Sequence, residues 1–471
     1  MMEGKTFDLI VLGGGPGGYS SALRAAMKGL KVCLIERERL GGICLNWGCF
    51  PTKSLIRDSQ LYSELKSTEY IEGEINLNFE KVMERKDKVI HNLVKGIETI
   101  LINRGVTIIE GDGRFVDSRN LIIKKMDGSE VTIKANRLII ATGAIFDSSP
   151  FRTEGEKILS IRDALSLKAL PRSLAIVGCG GRGVEFGTIF RGFGCEVVLV
   201  EKGDRILQKE DVEISHRLRR ILTMQGIKVM MNTEALDAKI SDEGEVTLIL
   251  NTKKGVEQIE VEKVLIPGKR LGNTEGLGLE PLGITTKDGF IRVNENLETS
   301  VFDIYGVGDV NGSDFLAHKA LVEGILSVDQ FTGKSMKIDL HLLPRCTYTN
   351  PEVGSIGLTQ KEAEEKGEEI EVGKFPFGAS GRAATLGRDQ GILKIIFGKR
   401  YGEILGVHIL APLATELISL ASLAMRNEMG IEELKATVYA HPTLSEAFFE
   451  ASLDVGGEAI HFLKGGVDLP F

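Results

Sequence analysis

A chain of 471 residues is long enough for roughly three or four domains with sizeable cores. A net charge of −8 argues against a general nucleic-acid footprint, and six cysteines spread over this length do not make a secreted disulfide framework. No uncharged run approaches the roughly eighteen residues that span a bilayer, and no basic, apolar leader precedes the first strand, so a cytoplasmic or organelle-matrix location is expected.

In chain order, the first predicted element is a strand over 7–12, followed by Gly13-x-Gly15-x-x-Gly18 and a helix over 19–29. A second strand over 31–35 ends at Glu36. The pattern returns later: a strand over 174–177, Gly178-x-Gly180-x-x-Gly183, a helix carrying Glu185, and a strand over 195–200 ending at Glu201. In both copies the acid lies 23 residues after the first glycine, from 13 to 36 and from 178 to 201. One such motif is weak; two in the same register predict two Rossmann-like dinucleotide-binding folds. The glycines permit a tight turn and close approach of a pyrophosphate, and the helix N-terminus favours the anion. The terminal carboxylate accepts from ribose hydroxyls. Glu201 would repel a 2′-phosphate, which favours NAD(H) over NADP(H).

Just after the first fold's strand–helix–strand unit comes Gly41-Gly42-Ile43-Cys44-Leu45-Asn46-Trp47-Gly48-Cys49-Phe50-Pro51-Thr52-Lys53. A dithiol beside a bound dinucleotide points to electron exchange between thiols and a flavin. The competing readings are a zinc half-site or two unpaired core thiols. A zinc ribbon would show two Cys-x-x-Cys pairs, whereas Cys33, Cys179, Cys195 and Cys346 stand alone, and no metal site is expected.

This stretch resembles the redox segment of the flavin disulfide reductases, the pyridine nucleotide-disulfide oxidoreductases, closest to the dihydrolipoamide dehydrogenases. The family pattern is Gly-Gly, a small residue, Cys-Leu-Asn, any residue, Gly-Cys, an apolar residue, Pro, Ser or Thr, and Lys. Trp47 is bulkier than the expected Val. The resemblance implies a redox-active Cys44–Cys49 disulfide. Residues five apart in an ideal helix have Cα atoms roughly 8–9 Å apart, and a disulfide needs about 4.4–6.8 Å. The bridge therefore requires an irregular turn, and Gly48, which tolerates positive φ, is placed to supply it.

Further blocks carry the same resemblance. In the family the first fold binds FAD. Leu138 to Gly143, with Thr142 and Gly143 at its turn, resembles the strand and Ala-Thr-Gly turn of the FAD domain, and Gly111-x-Gly113 resembles its adenosine-contacting loop. Ile304 to Asp309 resembles the second flavin motif, in which Gly308 and Asp309 meet the ribityl or phosphate region. Ala317 and His318 would line the isoalloxazine edge, with Lys53 near the flavin's reactive nitrogen. Residues 76–104 carry Val82, Val89, Leu93, Ile97, Ile100 and Leu101 at helix spacing, which predicts a long amphipathic structural helix.

From about residue 343, Tyr348-Thr349-x-Pro351-Glu352-Val353-Gly354 leads through strands near 391–397 and 404–410 to a helix over 413–428, the order of the family's dimer-interface domain. The stripe Leu417, Leu420, Ala421, Leu423 and Ala424 reads as internal core from spacing alone. Last comes Ala440-His441-Pro442-Thr443-Leu444-Ser445-Glu446. Histidine suits proton exchange near neutral pH. The family's His-Pro-Thr-x-Ser-Glu motif implies that His441, oriented by Glu446, is the acid–base partner of the other subunit's disulfide. His461 reads as surface or interface.

The expected fold is α/β: two Rossmann-like dinucleotide-binding domains plus a C-terminal α+β dimerisation domain. The expected boundaries are 1–148 for the FAD domain, 149–270 for the NAD domain, 271–343 for a central domain completing the FAD site, and 344–471 for the interface domain. The resemblance implies FAD and NAD as cofactors and a homodimer. It also implies a lipoyl-bearing carrier of a 2-oxo acid dehydrogenase or glycine cleavage type system as partner, without nucleic acid or membrane. One segment departs from the pattern: where the family has a glycine that lets backbone approach the nicotinamide cofactor, this chain has Lys269, with Gly268 one residue before it. Arg182, inside the second glycine motif, replaces a usual apolar residue. Three other readings stay open here. Mercuric reductases carry a C-terminal cysteine pair, absent after Cys346. Glutathione-type reductases prefer NADPH and basic residues after the second strand. An FAD-bound docking subunit with a degenerate nicotinamide site would account for Lys269.

Overall fold

The computed structural model describes residues 3–148, 151, 155–333 and 338–463. The strand Thr6–Leu12 runs parallel to Val32–Glu36 on one side and to Glu130–Ile140 on the other, in a six-stranded sheet. Leu9, Ile10 and Val11 are fully buried, as expected for a strand covered on both faces by a βαβ arrangement. The sixth strand, Ile304–Gly306, comes from far along the chain and pairs in parallel with Leu138, Ile139 and Ile140. It brings with it the helix Ala317–Phe331, which packs on the first glycine-motif helix Pro16–Met27. That crossing is close: a Cβ on Gly324 would lie 2.5 Å from the Gly17 carbonyl oxygen. Arg24 closes it by donating to the buried Asp329 at 2.7 Å.

The long helix is Phe79–Asn103, and the Asn78 side chain accepts from the Lys81 amide to start it. Its inward residues are Met83, Lys86, Ile90 and Leu101, while Leu93 and Ile100 of the expected stripe face solvent in the single chain. Buried Lys86 bonds the Leu165 carbonyl and lies 2.9 Å from Asp87.

The second sheet has five parallel strands in the order Lys228–Met230, Glu196–Val200, Ser173–Val177, Lys263–Leu265 and Ile158–Leu159. A three-stranded antiparallel sheet, Glu234–Ile240, Val246–Thr252 and Gly255–Val261, packs beside it. A two-stranded link, Ala144–Asp147 with Lys269–Gly272, sets Lys269 opposite Asp147 and spans the 270/271 boundary expected from the sequence.

The C-terminal sheet is antiparallel, in the order Arg345–Thr347, Glu352–Gly357, Ile404–Ala411, Ile392–Gly398 and Ile370–Pro376. Helices Ala414–Arg426 and Glu446–Gly456 pack on it. It is tied to the second domain by buried Lys394, whose Nζ donates to both carboxylate oxygens of buried Asp211 at 3.0 and 3.1 Å. The expected core stripe on Ala414–Arg426 is corrected in part. Ile418, Ala421 and Ala424 are buried, whereas Leu420 and Leu423 are 42% and 62% exposed. Spacing marked the apolar residues, but the sheet covers only one side of the helix.

Candidate active site

The dithiol segment is two helices broken at one glycine: Gly42–Trp47, then Cys49–Ser67. Gly42 packs against the first glycine loop, its would-be Cβ 2.9 Å from the Gly15 Cα. The irregular turn falls at Gly48, but with φ −144 and ψ −107 rather than the positive φ expected from the sequence. Glycine is favoured there by crowding, since a Cβ would meet the Ile43 carbonyl oxygen at 3.0 Å.

Cys44 and Cys49 are both thiols, joined by a side-chain hydrogen bond. That bond, received by Cys49, together with the nearby charge of Lys53, outweighs burial and brings Cys49 down to about 7. The Cys44 thiol moves up: it donates the bond, is partly buried, and faces the Cys49 charge. Cys49 also opens a helix, where the N-terminal dipole favours a thiolate. Lys53, one turn later, donates to both oxygens of Glu185 at 3.0 and 3.1 Å and lies 4.2 Å from the centre of the Tyr348 ring. Burial opposes the Lys53 charge, but Glu185 and Cys49 prevail and hold it above its ordinary value. Glu185 also accepts from the Tyr348 amide at 2.9 Å.

The repeated spacing of the two glycine motifs has one structural meaning. The amide after the first glycine donates to the strand-end acid, Gly14 to Glu36 at 2.7 Å and Cys179 to Glu201 at 2.7 Å. In the first copy, Gly13 takes φ +102 with a would-be Cβ 2.4 Å from the Ala141 carbonyl oxygen. A Cβ on Gly18, or on Gly183 in the second copy, would strike the carbonyl oxygen of the motif's own first glycine at 1.8 or 1.9 Å.

A cleft of about 590 Å³ gathers most of the predicted residues. Gly13, Gly15, Glu36, Cys44, Cys49, Lys53, Gly113, Thr142, Gly143, Glu185, Gly308, Asp309, Ala317 and His318 all line it. Thr142 donates to the Asn273 carbonyl at 2.7 Å, and the Gly308 amide donates to buried Glu323 at 2.7 Å. Burial raises Asp309 against the pull of Arg270, its ion-pair partner, and of Arg182. His318 is lowered by burial, and its Nε2 is a buried atom without a hydrogen-bond partner among the described residues. The glycine cradle, the ribose-type acid and this unsatisfied nitrogen fit an extended dinucleotide such as FAD.

Gly178, Gly180, Gly183 and Glu201 lie on the second fold, outside that cleft. Glu201 also accepts from the Gly203 amide at 2.8 Å. Gly268 takes φ +70 with a would-be Cβ 2.7 Å from the Asp147 carbonyl oxygen, and Lys269 beside it is exposed. His441 and Glu446 form a separate pair, Nδ1 to Oε1 at 2.8 Å, with the His441 side chain 78% exposed. Burial opposes ionisation of Glu446, but the Thr443 amide and His441 hold it below its usual range. The single chain does not place this pair in the dithiol cleft. Sequence reasoning missed the Arg270–Asp309 pair and the clamp in which Arg162 lies 3.9 Å from the Trp47 ring centre and donates twice to Glu38 at 3.0 Å. Partners so far apart in sequence leave no local pattern. Among the described residues no cluster of three or more His, Cys, Asp or Glu has metal-holding geometry, and no helix is long and apolar enough to cross a membrane.

Residues 7–324 match the pyridine nucleotide-disulphide oxidoreductase family, and residues 343–452 match that family's dimerisation domain. The mitochondrial dihydrolipoyl dehydrogenase of Pisum sativum is 38% identical over 463 residues, covering 96% of this chain and 92% of the relative. The dihydrolipoyl dehydrogenase of Bacillus subtilis is 37% identical over 474 residues, covering 97% of this chain and 99% of the relative. Among solved structures, LpdA of Mycobacterium tuberculosis superposes with a TM-score of 0.88 at 27% identity, covering 96% of this chain and 99% of that one. The HOCl-induced flavoprotein disulfide reductase RclA of Escherichia coli reaches a TM-score of 0.85 at 26% identity, covering 94% and 99%.

Proposed function

The chain belongs to the pyridine nucleotide-disulphide oxidoreductase family, and from that premise we propose that it oxidises protein-bound dihydrolipoamide to lipoamide while NAD is reduced to NADH. It is an FAD- and NAD-dependent flavoprotein disulfide oxidoreductase acting as a homodimer. The observation that carries the substrate chemistry is the pair of cysteines at the cleft, with Cys49 opening a helix one turn before the Lys53–Glu185 ion pair and Cys44 beside it. FAD, when bound, supplies two-electron exchange with the nicotinamide on one side and with the dithiol on the other. Gly13, Gly15, Gly18, Glu36, Gly113, Thr142, Gly143, Gly308, Asp309, Ala317 and His318 would hold it. Gly178, Gly180, Gly183, Glu201 and Gly268 would hold NAD, with Glu185 and Lys53 between the two.

In the oxidised enzyme Cys44 and Cys49 form a disulfide. A substrate thiol gives its proton to His441 and attacks Cys44 Sγ; the S–S bond breaks and Cys49 leaves as thiolate. His441, which is exposed, passes that proton to water and takes one from the second substrate thiol, whose sulfur then attacks its own partner in the mixed disulfide, closing lipoamide. Cys44 leaves and takes the proton back from His441. Glu446 fixes the imidazole through Nδ1, which keeps Nε2 free for the transfer. Lys53 holds the charge left on Cys49. The four-part division at 148, 270 and 343 and a cytoplasmic location belong to the same reading. So does a lipoyl-bearing carrier of a 2-oxo acid dehydrogenase or glycine cleavage system as partner. The test is steady-state turnover of dihydrolipoamide with NAD, beside lipoamide, glutathione disulfide and Hg(II) with NADH and NADPH. Dihydrolipoamide with NAD should dominate; a preference for glutathione disulfide or Hg(II) would overturn the substrate.

A further inference from the structure

The cleft wall where the second glycine helix meets the linking strands carries three cations and two carboxylates. Lys53 is matched by Glu185 and Arg270 by Asp309. Arg182, in the first turn of the helix Gly181–Gly192, has no such match. Its guanidinium donates to the Pro267 carbonyl at 2.8 Å and the Gly268 carbonyl at 3.0 Å, and lies 4.3 Å from the centre of the Phe146 ring. Among the described residues it makes no ion pair. Burial and repulsion from Arg270 push it down to about 10, which leaves it charged at neutral pH. Asp309 and Glu185 attract it from a distance but are already paired with Arg270 and Lys53. A partly buried cation whose own hydrogen bonds go only to carbonyls is an incomplete arrangement, and an anion completes it.

We propose that Arg182 binds the phosphate on the nicotinamide side of the dinucleotide, a charged anchor at a position where the family pattern has an apolar residue. This rests on the reading that the second fold takes NAD(H). Arg182 stands between Gly180 and Gly183, in the turn whose backbone faces a pyrophosphate. Space is open in front of that turn, since a Cβ on Gly178 or Gly180 would meet nothing within 4 Å. Its side chain also lines the dithiol cleft, toward which the nicotinamide must reach. The carbonyls it holds belong to the loop in which Lys269 replaces the family's glycine. One departure from the pattern therefore holds the backbone immediately before the other, and the guanidinium exchanges these carbonyls for the phosphate when the dinucleotide enters.

The test is calorimetric titration of NAD into the FAD-loaded dimer for wild type, Arg182→Gln and Arg182→Lys, with the flavin midpoint potential measured without dinucleotide. Arg182→Gln should weaken NAD at least ten-fold, about 1.4 kcal/mol. Arg182→Lys should keep most of the affinity, and the potential should stay unchanged. Unaltered NAD affinity in Arg182→Gln overturns the proposal. So does equal loss in both variants, which would make the role one of loop shape, and so does a lowered potential with NAD affinity intact, which would assign the charge to the reduced flavin. Wild-type turnover of dihydrolipoamide with NAD is run alongside. If it is absent while NAD binding depends on Arg182, the proposed reaction fails and the phosphate anchor stands.

Discussion

The hydrogen bond that Cys49 receives from Cys44, aided by Lys53 one helical turn later, places the charge on Cys49. Two-electron reduction of the FAD-loaded protein should give a long-wavelength absorbance from the Cys49 thiolate against the flavin. Cys49→Ser should abolish it and Cys44→Ser should keep it; the reverse pattern contradicts the assignment. The sign with pH follows from the depressed Cys49: the band is present above about pH 7 and fades as pH falls through that value. Lys53→Gln removes a stabilising charge and should move the midpoint upward by about one unit or more; an unmoved midpoint would show that Lys53 does not act on Cys49. At the second fold, Glu201 is fixed by two backbone amides, from Cys179 and Gly203, so its charge is held where a 2′-phosphate would arrive. NAD(H) should be preferred over NADP(H) about ten-fold or more in kcat/KM, and Glu201→Gln should narrow the gap. Equal rates with both nucleotides would point instead to Lys202 or Arg205.

Helices and strands account for what the sequence could and could not disclose. The dithiol, both glycine motifs and the His441 segment were legible because each is a local pattern on one strand-to-helix turn or helix start. Gly48 was legible as a break, but its conformation was not, since crowding by Ile43 is a property of the folded turn. The stripe on Ala414–Arg426 was half legible: its period marks a helix with apolar residues, and only packing decides which side the sheet covers. The exposed side predicts an interface. Leu420→Asp with Leu423→Asp should yield a folded monomer by sedimentation with unchanged circular dichroism, whereas a persistent dimer would remove that helix from the interface. The Lys394–Asp211 tie crosses two domains and left no sequence signal. Both side chains are nearly fully buried, at 3% and 2% exposure. Lys394→Met should therefore cost about 3–5 kcal/mol by stranding a carboxylate, and adding Asp211→Asn should recover much of it in denaturant unfolding. Burial works against the Asp211 charge, but Lys394 and His408 win and depress it. Its contribution is thus present above the ordinary aspartate range and lost as pH falls through the lowered value.

For the whole molecule, the proposed dithiol–imidazole site calls for a second subunit. The cleft holds both cysteines, yet His441 and Glu446 stand exposed on the C-terminal domain, outside the cleft lining. A dimer supplies the missing base if each subunit's His441 serves its partner's dithiol. His441→Ala should accordingly abolish most lipoamide turnover while leaving NADH reduction of the flavin nearly intact, because the imidazole moves only thiol protons. The most direct measurement mixes two inactive variants, Cys44→Ser and His441→Ala, dissociates and reassociates them, and follows oxidation of dihydrolipoamide by NAD. Each heterodimer assembles one site with Cys44 and His441 both intact, so up to about half of a native dimer's activity should return. No recovery, with subunit exchange verified independently, would contradict the shared dithiol–imidazole site.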